Sequence, residues 1–349
     1  MISDKLVIGM PAGSLADPKR GGNLIDFLKH AGFPTKGYDQ GGPTKFPLNA
    51  ALLGWDGRPQ EFGSQLGLGQ LDIAIAGDDW IRERVLEYKY EYNQDIQLNK
   101  VLSLSRGNVR IVIIINPLTT GQCFDDYFKA LLESKPLVTM VSEMPYLALD
   151  WFKGKIKALG FENSHDKYSV QNYMTPPKID RGIVIYETWG KTEAKVVHGA
   201  VDFGLEITQT GSAIRNYGLA IGDEIMHSET GIWVNPALKQ AEEKYELARM
   251  FLLNLYGAVY AENKVLLFFN SKNECADDVL RYLSGNRLFA DEPTMNTGEN
   301  YTEFSIQMDL NNATLPIAKV RYELARIGAT GIETVPLDSC IPCFDAIDF

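Results

Sequence analysis

A regular alternation of short apolar runs with amphipathic segments constrains this fold more than any other feature of the sequence. Residues 6–10 form an apolar run typical of a buried strand, and Leu24 and Phe27 then begin a helical spacing that ends at Gly32. The run of branched apolar residues at 109–115 is typical of a strand buried in a parallel sheet. Because strand and helix alternate along the chain, the sequence predicts an α/β fold.

A short motif that occurs twice indicates that the core has two similar halves. Segments 69–75 and 199–205 each read Gly-x-x-Asp followed by an apolar run, as expected where a helix ends and a strand begins. Between the two copies, residues 145–160 form an amphipathic helix that ends at Gly160. Two α/β lobes joined by crossing strands enclose a cleft, so we predict a two-lobed, periplasmic-binding-protein-like core. The Gly- and Pro-rich stretch 34–64 is predicted to be loop with short elements.

The last third of the chain has a different pattern. After a long helix at 237–258, predicted elements follow in the order β-α-β-β-α-β, namely 265–269, 273–283, around Thr294, 304–308, 315–327 and 332–335. This order is typical of a ferredoxin-like domain. We therefore assign 1–108 and 207–258 to a first catalytic lobe, 109–206 to a second, and 259–349 to a C-terminal ferredoxin-like domain.

Composition excludes several classes of function. The 349 residues carry a net charge of −11 with no basic run, which argues against nucleic acid as a partner. The chain starts without the features of a secretory signal and contains no apolar stretch long enough to cross a membrane, so a cytoplasmic location is expected. Cys340 and Cys343 form a lone CxxC spacing; reduced thiols in a C-terminal tail are favoured over a redox or zinc role.

The segment 206–215 carries the strongest chemical signal. It joins an apolar strand to a predicted helix, and backbone N–H groups at such a junction can hold a phosphate. Thr210 and Ser212 add hydroxyl donors, Gly211 permits close approach, and Glu206 can accept hydrogen bonds from two ribose hydroxyls. Spacing alone leaves a second interpretation open, a plain strand-to-helix turn with a Ser or Thr cap.

These residues also carry a family resemblance. In order and spacing, the chain resembles the signature region of the ATP phosphoribosyltransferases at Glu193, Gly199, Asp202, Glu206, Thr210-Gly211 and Arg215-Asn216-Tyr217-Gly218-Leu219. The likeness continues at 71–80, 144–147 and 327–329, and the third domain is similar to the ACT-like regulatory domain of the long form. It thus covers most of the chain.

The resemblance implies a reaction and a set of site residues. The reaction transfers phosphoribosyl from phosphoribosyl pyrophosphate (PRPP) to N1 of ATP and releases pyrophosphate with Mg²⁺, in the first step of histidine biosynthesis. It also implies feedback inhibition by histidine and a homo-hexamer. Glu206 and Arg58 are the catalytic candidates, and Asp78 is the candidate metal ligand. The PRPP candidates are Glu206, Thr208, Gln209, Thr210, Gly211, Ser212 and Ala213, and the ATP candidates are Pro11, Gly13, Ser14, Gly77, Asp78 and Asp79.

The chain departs from the family pattern in its charged and hydroxyl residues. The family usually has Asp where Glu206 stands, and a Ser and a Thr where Gln209 and Ala213 stand. Ala12 and Ser14 occupy places where the family carries Lys and Arg, so two phosphate-facing cations are missing. Candidate replacements in the following stretch are Lys19, Arg20, Lys45 and Arg58.

Two alternatives from other classes remain open at this stage. A solute-binding module shares the two-lobed architecture, although the absence of a signal sequence and the loop at 206–215 argue against it. A paralogue that uses another acceptor base, or that has lost catalysis and acts as a regulatory subunit, would explain Ala12 and Ser14.

Overall fold

The chain divides into two compact units. The computed structural model describes residues 5–16, 22–40, 44–48, 50–118, 121–289 and 294–349. The larger unit comprises 1–25, 35–248 and Phe349, and the smaller unit comprises 26–34 and 249–348. The C-terminal part of the smaller unit starts at Arg249, whereas the sequence predicted a boundary at 259. The smaller unit also includes 26–34, because Phe33 packs on Phe251 with ring centroids 4.8 Å apart.

The larger unit is built on one mixed sheet. Its described strands are β1 (Leu6–Pro11), β2 (Leu52–Gly57), β3 (Ile73–Gly77), β4 (Asn99–Ile115), β5 (Leu137–Ser142), β6 (Tyr168–Asn172), β7 (Gly182–Glu187), β8 (Phe203–Thr208) and β9 (Ala220–Val234). They lie in the order β2-β1-β3-β9-β4-β8-β5-β7-β6. The long strands β4 and β9 cross the middle, with parallel strands β1 to β3 on one side and β5 to β8 on the other. This arrangement confirms the predicted two-lobed, periplasmic-binding-protein-like core.

Helices connect the strands of both halves. In chain order the helices are α1 (Leu24–His30), α2 (Pro59–Gly67), α3 (Asp78–Glu91), α4 (Phe124–Ser134), α5 (Pro145–Leu159), α6 (Thr192–Val197), α7 (Ser212–Asn216) and α8 (Glu242–Ala261). Most residues of α1 and α8 belong to the smaller unit. In its described residues, the stretch 34–64 is loop with short elements, as predicted, and β2 and the start of α2 lie there. Leu52 is buried beside Leu6 in the parallel β1–β2 pair, and Pro59 opens α2 in its first turn.

Strand direction at the centre of the sheet differs from the prediction. The apolar run within β4 was predicted to lie in a parallel arrangement, but β4 is antiparallel to both β8 and β9. Residues 111–115 are all fully buried. Their branched apolar composition therefore reflects burial on both faces of a central strand, whatever the direction of its neighbours.

The repeated Gly-x-x-Asp motif has the same structural role in each half. The Asp72 carboxylate accepts a hydrogen bond from the Val7 N–H (2.8 Å), one residue before β3 pairs with β1. The Asp202 carboxylate accepts one from the Thr139 N–H (2.9 Å), one residue before β8 pairs with β5. Each aspartate thus satisfies a backbone donor at the start of a parallel pair and sets its register.

The smaller unit confirms the predicted ferredoxin-like order. Its elements are β10 (Lys264–Lys272), α9 (Ala276–Asn286), β11 (Thr294–Thr297), β12 (Tyr301–Asp309), α10 (Ile317–Arg326) and β13 (Ala329–Pro336). The strands form an antiparallel sheet in the order β11-β12-β10-β13, and the core lies between this sheet and the two helices. Cys340 and Cys343 are free thiols. Within the described ranges, no helix of the chain has the length and apolarity needed to span a bilayer.

Candidate active site

A cleft of about 450 Å³ opens in the larger unit at the carboxyl ends of β1, β2 and β3. Ligands usually bind at such strand ends in open α/β sheets. The walls come from the loops after these strands, from both crossing strands and from the second half of the sheet. The lining residues are Ala12, Gly13, Leu15, Gly57, Arg58, Pro59, Gln60, Gly77, Asp79, Trp80, Gly107, Val109, Trp189, Ile207, Ser228 and Thr230.

The structure brings part of the predicted ATP set together in this cleft. Gly13, Gly77 and Asp79 line it, as does Ala12. Pro11 directly precedes the cleft residue Ala12. The Pro11 carbonyl accepts a hydrogen bond from the Tyr38 hydroxyl (2.6 Å), which fixes the start of the first loop. Ser14 lies in a short 3-10 helix, and its side chain is outside the described part of the structure.

The two adjacent aspartates after β3 have different environments. Asp78 forms an ion pair with the Lys100 ammonium (2.8 Å) and is not among the cleft residues. Asp79 is 4% exposed, and its Oδ1 accepts a hydrogen bond from the Trp80 N–H at the start of α3. Burial raises the pKa of Asp79. Gly77 occupies the N-cap position of α3, so both aspartates lie in the first turn of the helix.

The predicted phosphate loop lies between β8 and α7. The buried Thr208 hydroxyl accepts a hydrogen bond from the Gly211 N–H (2.9 Å), and Gly211 has a φ of +72°. The Thr210 and Ser212 hydroxyls lie 2.7 Å apart on the exposed side of the loop. The helix α7 is only five residues long, and the Gly211 and Ser212 N–H groups already donate to the Thr208 and Thr210 hydroxyls, so the loop presents hydroxyl groups where the sequence predicted backbone donors.

Two arginines supply cationic groups to this loop. Arg215 donates to the Thr210 carbonyl (2.9 Å) and to the Ser212 hydroxyl (3.3 Å). A methyl group built on Gly211 would lie 3.1 Å from Arg215 Nη1 and 3.7 Å from Arg110 Nη2. Both guanidinium groups therefore reach the loop. Arg110 is in turn paired with Glu224 at 3.0 Å.

The four replacement cations predicted from the sequence differ in position. Lys19 and Arg20 lie outside the described residues, and Lys45 is exposed and does not line the cleft. Arg58 is also exposed, but it does line the cleft at the start of α2. Arg110 carried no signal in the sequence, because its position beside the loop depends on the pairing of Arg110 with Thr208 across β4 and β8.

Glu206 lies beside other carboxylates at the end of β8. Burial, together with the negative charges of Glu193 and Glu143, raises the pKa of Glu206 to about 7. Hydrogen bonds from Thr192 and from the Ile207 N–H (3.1 Å) partly oppose this shift. The group therefore titrates close to neutral pH, which makes it sensitive to any ligand that brings positive charge or hydroxyl donors.

The fold and the cleft define a class of protein: a two-lobed α/β protein whose cleft adjoins a loop of hydroxyl and guanidinium groups suited to a phosphorylated ligand. A sequence model of the ATP phosphoribosyltransferase family matches residues 58–255, more than half of the chain. The chain belongs to the ATP phosphoribosyltransferase family.

Individual relatives extend the likeness over nearly the whole length. An ATP phosphoribosyltransferase of Geotalea uraniireducens is 27% identical over 359 residues, which cover 97% of this chain and 100% of the relative. One from Geotalea daltonii is 28% identical over 350 residues with the same coverage. Among solved structures, a chain of the ATP phosphoribosyl transferase (HisG:HisZ) complex from Thermotoga maritima matches with 17% identity and a TM-score of 0.48, covering 72% of this chain and 98% of that one.

Proposed function

We propose that this protein is an ATP phosphoribosyltransferase that transfers the phosphoribosyl group of PRPP to N1 of ATP. The bond from ribose C1 to the purine nitrogen forms as the bond from C1 to the pyrophosphate oxygen breaks. Family membership supports the reaction, and one observation carries the assignment of the site: two arginines and three hydroxyl groups converge on the loop at 208–212 beside Glu206.

PRPP binds, on this proposal, with its 5-phosphate on the loop. Thr210 and Ser212 present their hydroxyls on its exposed side, and Arg215 already contacts Ser212. Charge-assisted hydrogen bonds from guanidinium groups to phosphate are about twice as strong as neutral ones. Arg110 and Arg215 thus provide the positive charge that Ala12 and Ser14 cannot.

Glu206 acts on the ribose. When ionised, its carboxylate accepts hydrogen bonds from the two ribose hydroxyls and stabilises the positive charge that develops on the ring as pyrophosphate departs. Hydrogen bonds from the ribose hydroxyls favour the ionised form of Glu206 and oppose the repulsion from Glu193. Since the pKa of Glu206 is about 7, the group then loses its proton when PRPP binds. The side chain of Glu206 is one methylene longer than that of the usual Asp.

ATP occupies the cleft, between the loops of the first half and the end of β8. Glu143, whose charge acts on Glu206, accepts the N–H of Gly190 beside the cleft residue Trp189, so a purine bound in the cleft lies near the proposed ribose site. Arg58 is the cation of the cleft wall, and we assign it to the charge of the triphosphate or of the departing pyrophosphate. Catalysis then depends mainly on alignment of the two substrates.

Magnesium is proposed to bind together with the substrate PRPP. In the part of the chain that the structure describes, no three His, Cys, Asp or Glu side chains converge as a metal site. Asp78 is neutralised by Lys100, which makes it a poor candidate for an additional cation. We propose that Mg²⁺ is held mainly by PRPP oxygens, where it neutralises charge on the pyrophosphate leaving group.

Regulation and assembly complete the proposal. The ferredoxin-like unit is proposed to bind histidine as a feedback inhibitor and to help form a homo-hexamer, as the long-form resemblance implies. A cytoplasmic location is part of the same proposal. Mass in solution by analytical ultracentrifugation tests the hexamer, and initial rates with and without histidine test inhibition.

The decisive experiment mixes the purified chain with PRPP, ATP and Mg²⁺ and follows the ultraviolet absorbance of the phosphoribosyl-ATP adduct. We expect adduct and pyrophosphate in equal amounts, and none when PRPP is omitted. Pyrophosphate release with a different purine but not with ATP would overturn the acceptor. Binding of both substrates without turnover would instead favour a regulatory subunit.

A further inference from the structure

Trp189 is a large aromatic side chain that stays exposed on the wall of the cleft. Its side chain lines the cavity, yet the residue is 61% exposed. Within the described ranges, no other aromatic ring packs against it. A single exposed apolar residue is common on protein surfaces, so exposure alone does not indicate a ligand.

The backbone around Trp189 is held firmly on both sides. Thr188, which precedes it, donates its N–H to the Ser142 carbonyl (3.0 Å). Gly190, which follows, donates its N–H to the Glu143 carboxylate (2.5 Å). The indole is therefore presented to the cleft from a fixed base, and a ligand that packs on it pays little of the entropy needed to order a loop.

The position of Trp189 relates it to both substrates of the proposed reaction. Glu143 accepts the hydrogen bond from Gly190, the residue after Trp189, and its negative charge also acts on Glu206, the proposed ribose contact. Arg58 and Pro59 lie on the first-half wall of the cavity. A flat ring seated on Trp189 would thus adjoin the ribose of PRPP, while a cation for phosphate groups remains within the same cleft.

We propose that the indole of Trp189 is the platform on which the purine ring of the acceptor nucleotide stacks. The inference rests on the proposed function for the identity of the nucleotide. Stacking of a base on an aromatic side chain needs only exposed flat faces, which Trp189 provides, and it orients the ring so that its edge can approach the ribose C1. Trp189 thereby becomes a determinant of acceptor binding.

The test compares Trp189→Ala and Trp189→Phe with the wild type in steady-state kinetics and in ATP binding. We expect Trp189→Ala to raise the KM for ATP by about tenfold or more, with the KM for PRPP changed by less than about twofold. Trp189→Phe, which keeps a ring, restores most of the loss. Trp55→Ala is the matched control, since Trp55 is 42% exposed but does not line the cleft.

Further outcomes separate this inference from the proposed function. An unchanged KM for ATP in Trp189→Ala, or an equal rise in both KM values, would overturn the stacking role even if the wild type makes adduct. If the wild type makes no adduct, ATP titration by calorimetry decides whether Trp189 contributes to ATP binding. A tenfold weaker Kd in Trp189→Ala then supports the platform, and equal affinities refute it.

Discussion

The Glu83 carboxylate accepts a hydrogen bond from the Leu147 N–H at 2.7 Å, although Glu83 lies on α3 and Leu147 on α5. Glu83 is completely buried, and it also accepts from the Tyr146 N–H at 3.0 Å. One side chain thus satisfies two backbone donors in the first turn of α5 and connects helices from the two halves of the larger unit.

We expect Glu83→Ala to destabilise the protein by about 3 kcal/mol or more, because it leaves two buried N–H groups unpaired and opens a cavity. Urea unfolding followed by circular dichroism measures the change. Glu133→Gln, on the exposed side of α4, is the control and should change stability by less than about 0.5 kcal/mol. Equal stabilities of the wild type and Glu83→Ala would contradict the role of this contact.

The same residue predicts a pH dependence of stability. Burial raises the pKa of Glu83 to about 8, above its value in the unfolded chain. Its stabilising contribution is therefore complete below about pH 4.5 and is lost as pH rises through 8. The Tm of the wild type should fall relative to that of Glu83→Gln between about pH 5 and 8.5. A Tm difference that stays constant over this range would show that Glu83 does not titrate there.

Activity should depend on the ionisation of Glu206. Because its pKa is raised to about 7, kcat/KM for PRPP should fall as pH decreases below neutrality. Glu206→Gln should remove this acidic limb of the pH profile of kcat/KM and lower kcat by about a hundredfold. Glu193→Gln should shift the limb to lower pH, since it removes a negative charge that raises the pKa of Glu206. A limb that persists in Glu206→Gln belongs to another group, such as the PRPP phosphate.

Arg215 should contribute to PRPP binding. Arg215→Gln removes a guanidinium that contacts both Thr210 and Ser212, and we expect the KM for PRPP to rise by about ten- to a hundredfold. Arg82→Gln is the control, because Arg82 forms an exposed ion pair with Asp150 at 3.5 Å. The assignment is wrong if the two variants have the same KM for PRPP.

Gly211 should tolerate no side chain without loss of PRPP affinity. Its φ of +72° disfavours any other residue, and an added methyl group would crowd Arg215 at 3.1 Å. Gly160→Ala is a matched control, since Gly160 has a φ of +80° with no atom within 4 Å of the added methyl group. Both variants should lose about 1 kcal/mol of stability, while only Gly211→Ala weakens PRPP binding measured by calorimetry. An equal PRPP affinity in the two variants would contradict crowding of the loop.

Much of the fold could be predicted because burial leaves a local pattern in the sequence. The apolar runs at β1 and β10 and the helix that ends at Gly160 each follow from side-chain period and a terminating residue. The repeated Gly-x-x-Asp motif indicated two similar halves, and Asp72 and Asp202 do stabilise equivalent strand pairs. The direction of β4 was not predictable, because burial on both faces produces the same composition in parallel and antiparallel neighbours.

The candidate site was predictable only where its residues are adjacent in the chain. Thr210, Gly211 and Ser212 form a loop whose chemistry is visible in the sequence. Arg110 lies beside that loop only because the register between β4 and β8 pairs it with Thr208. The raised pKa of Glu206 depends likewise on carboxylates brought there by folding. The sequence by itself therefore determined most of the elements and the composition of the loop at 208–212. The tertiary structure alone decided the electrostatics of that loop, because Coulomb interactions depend on distances that only strand pairing and packing set.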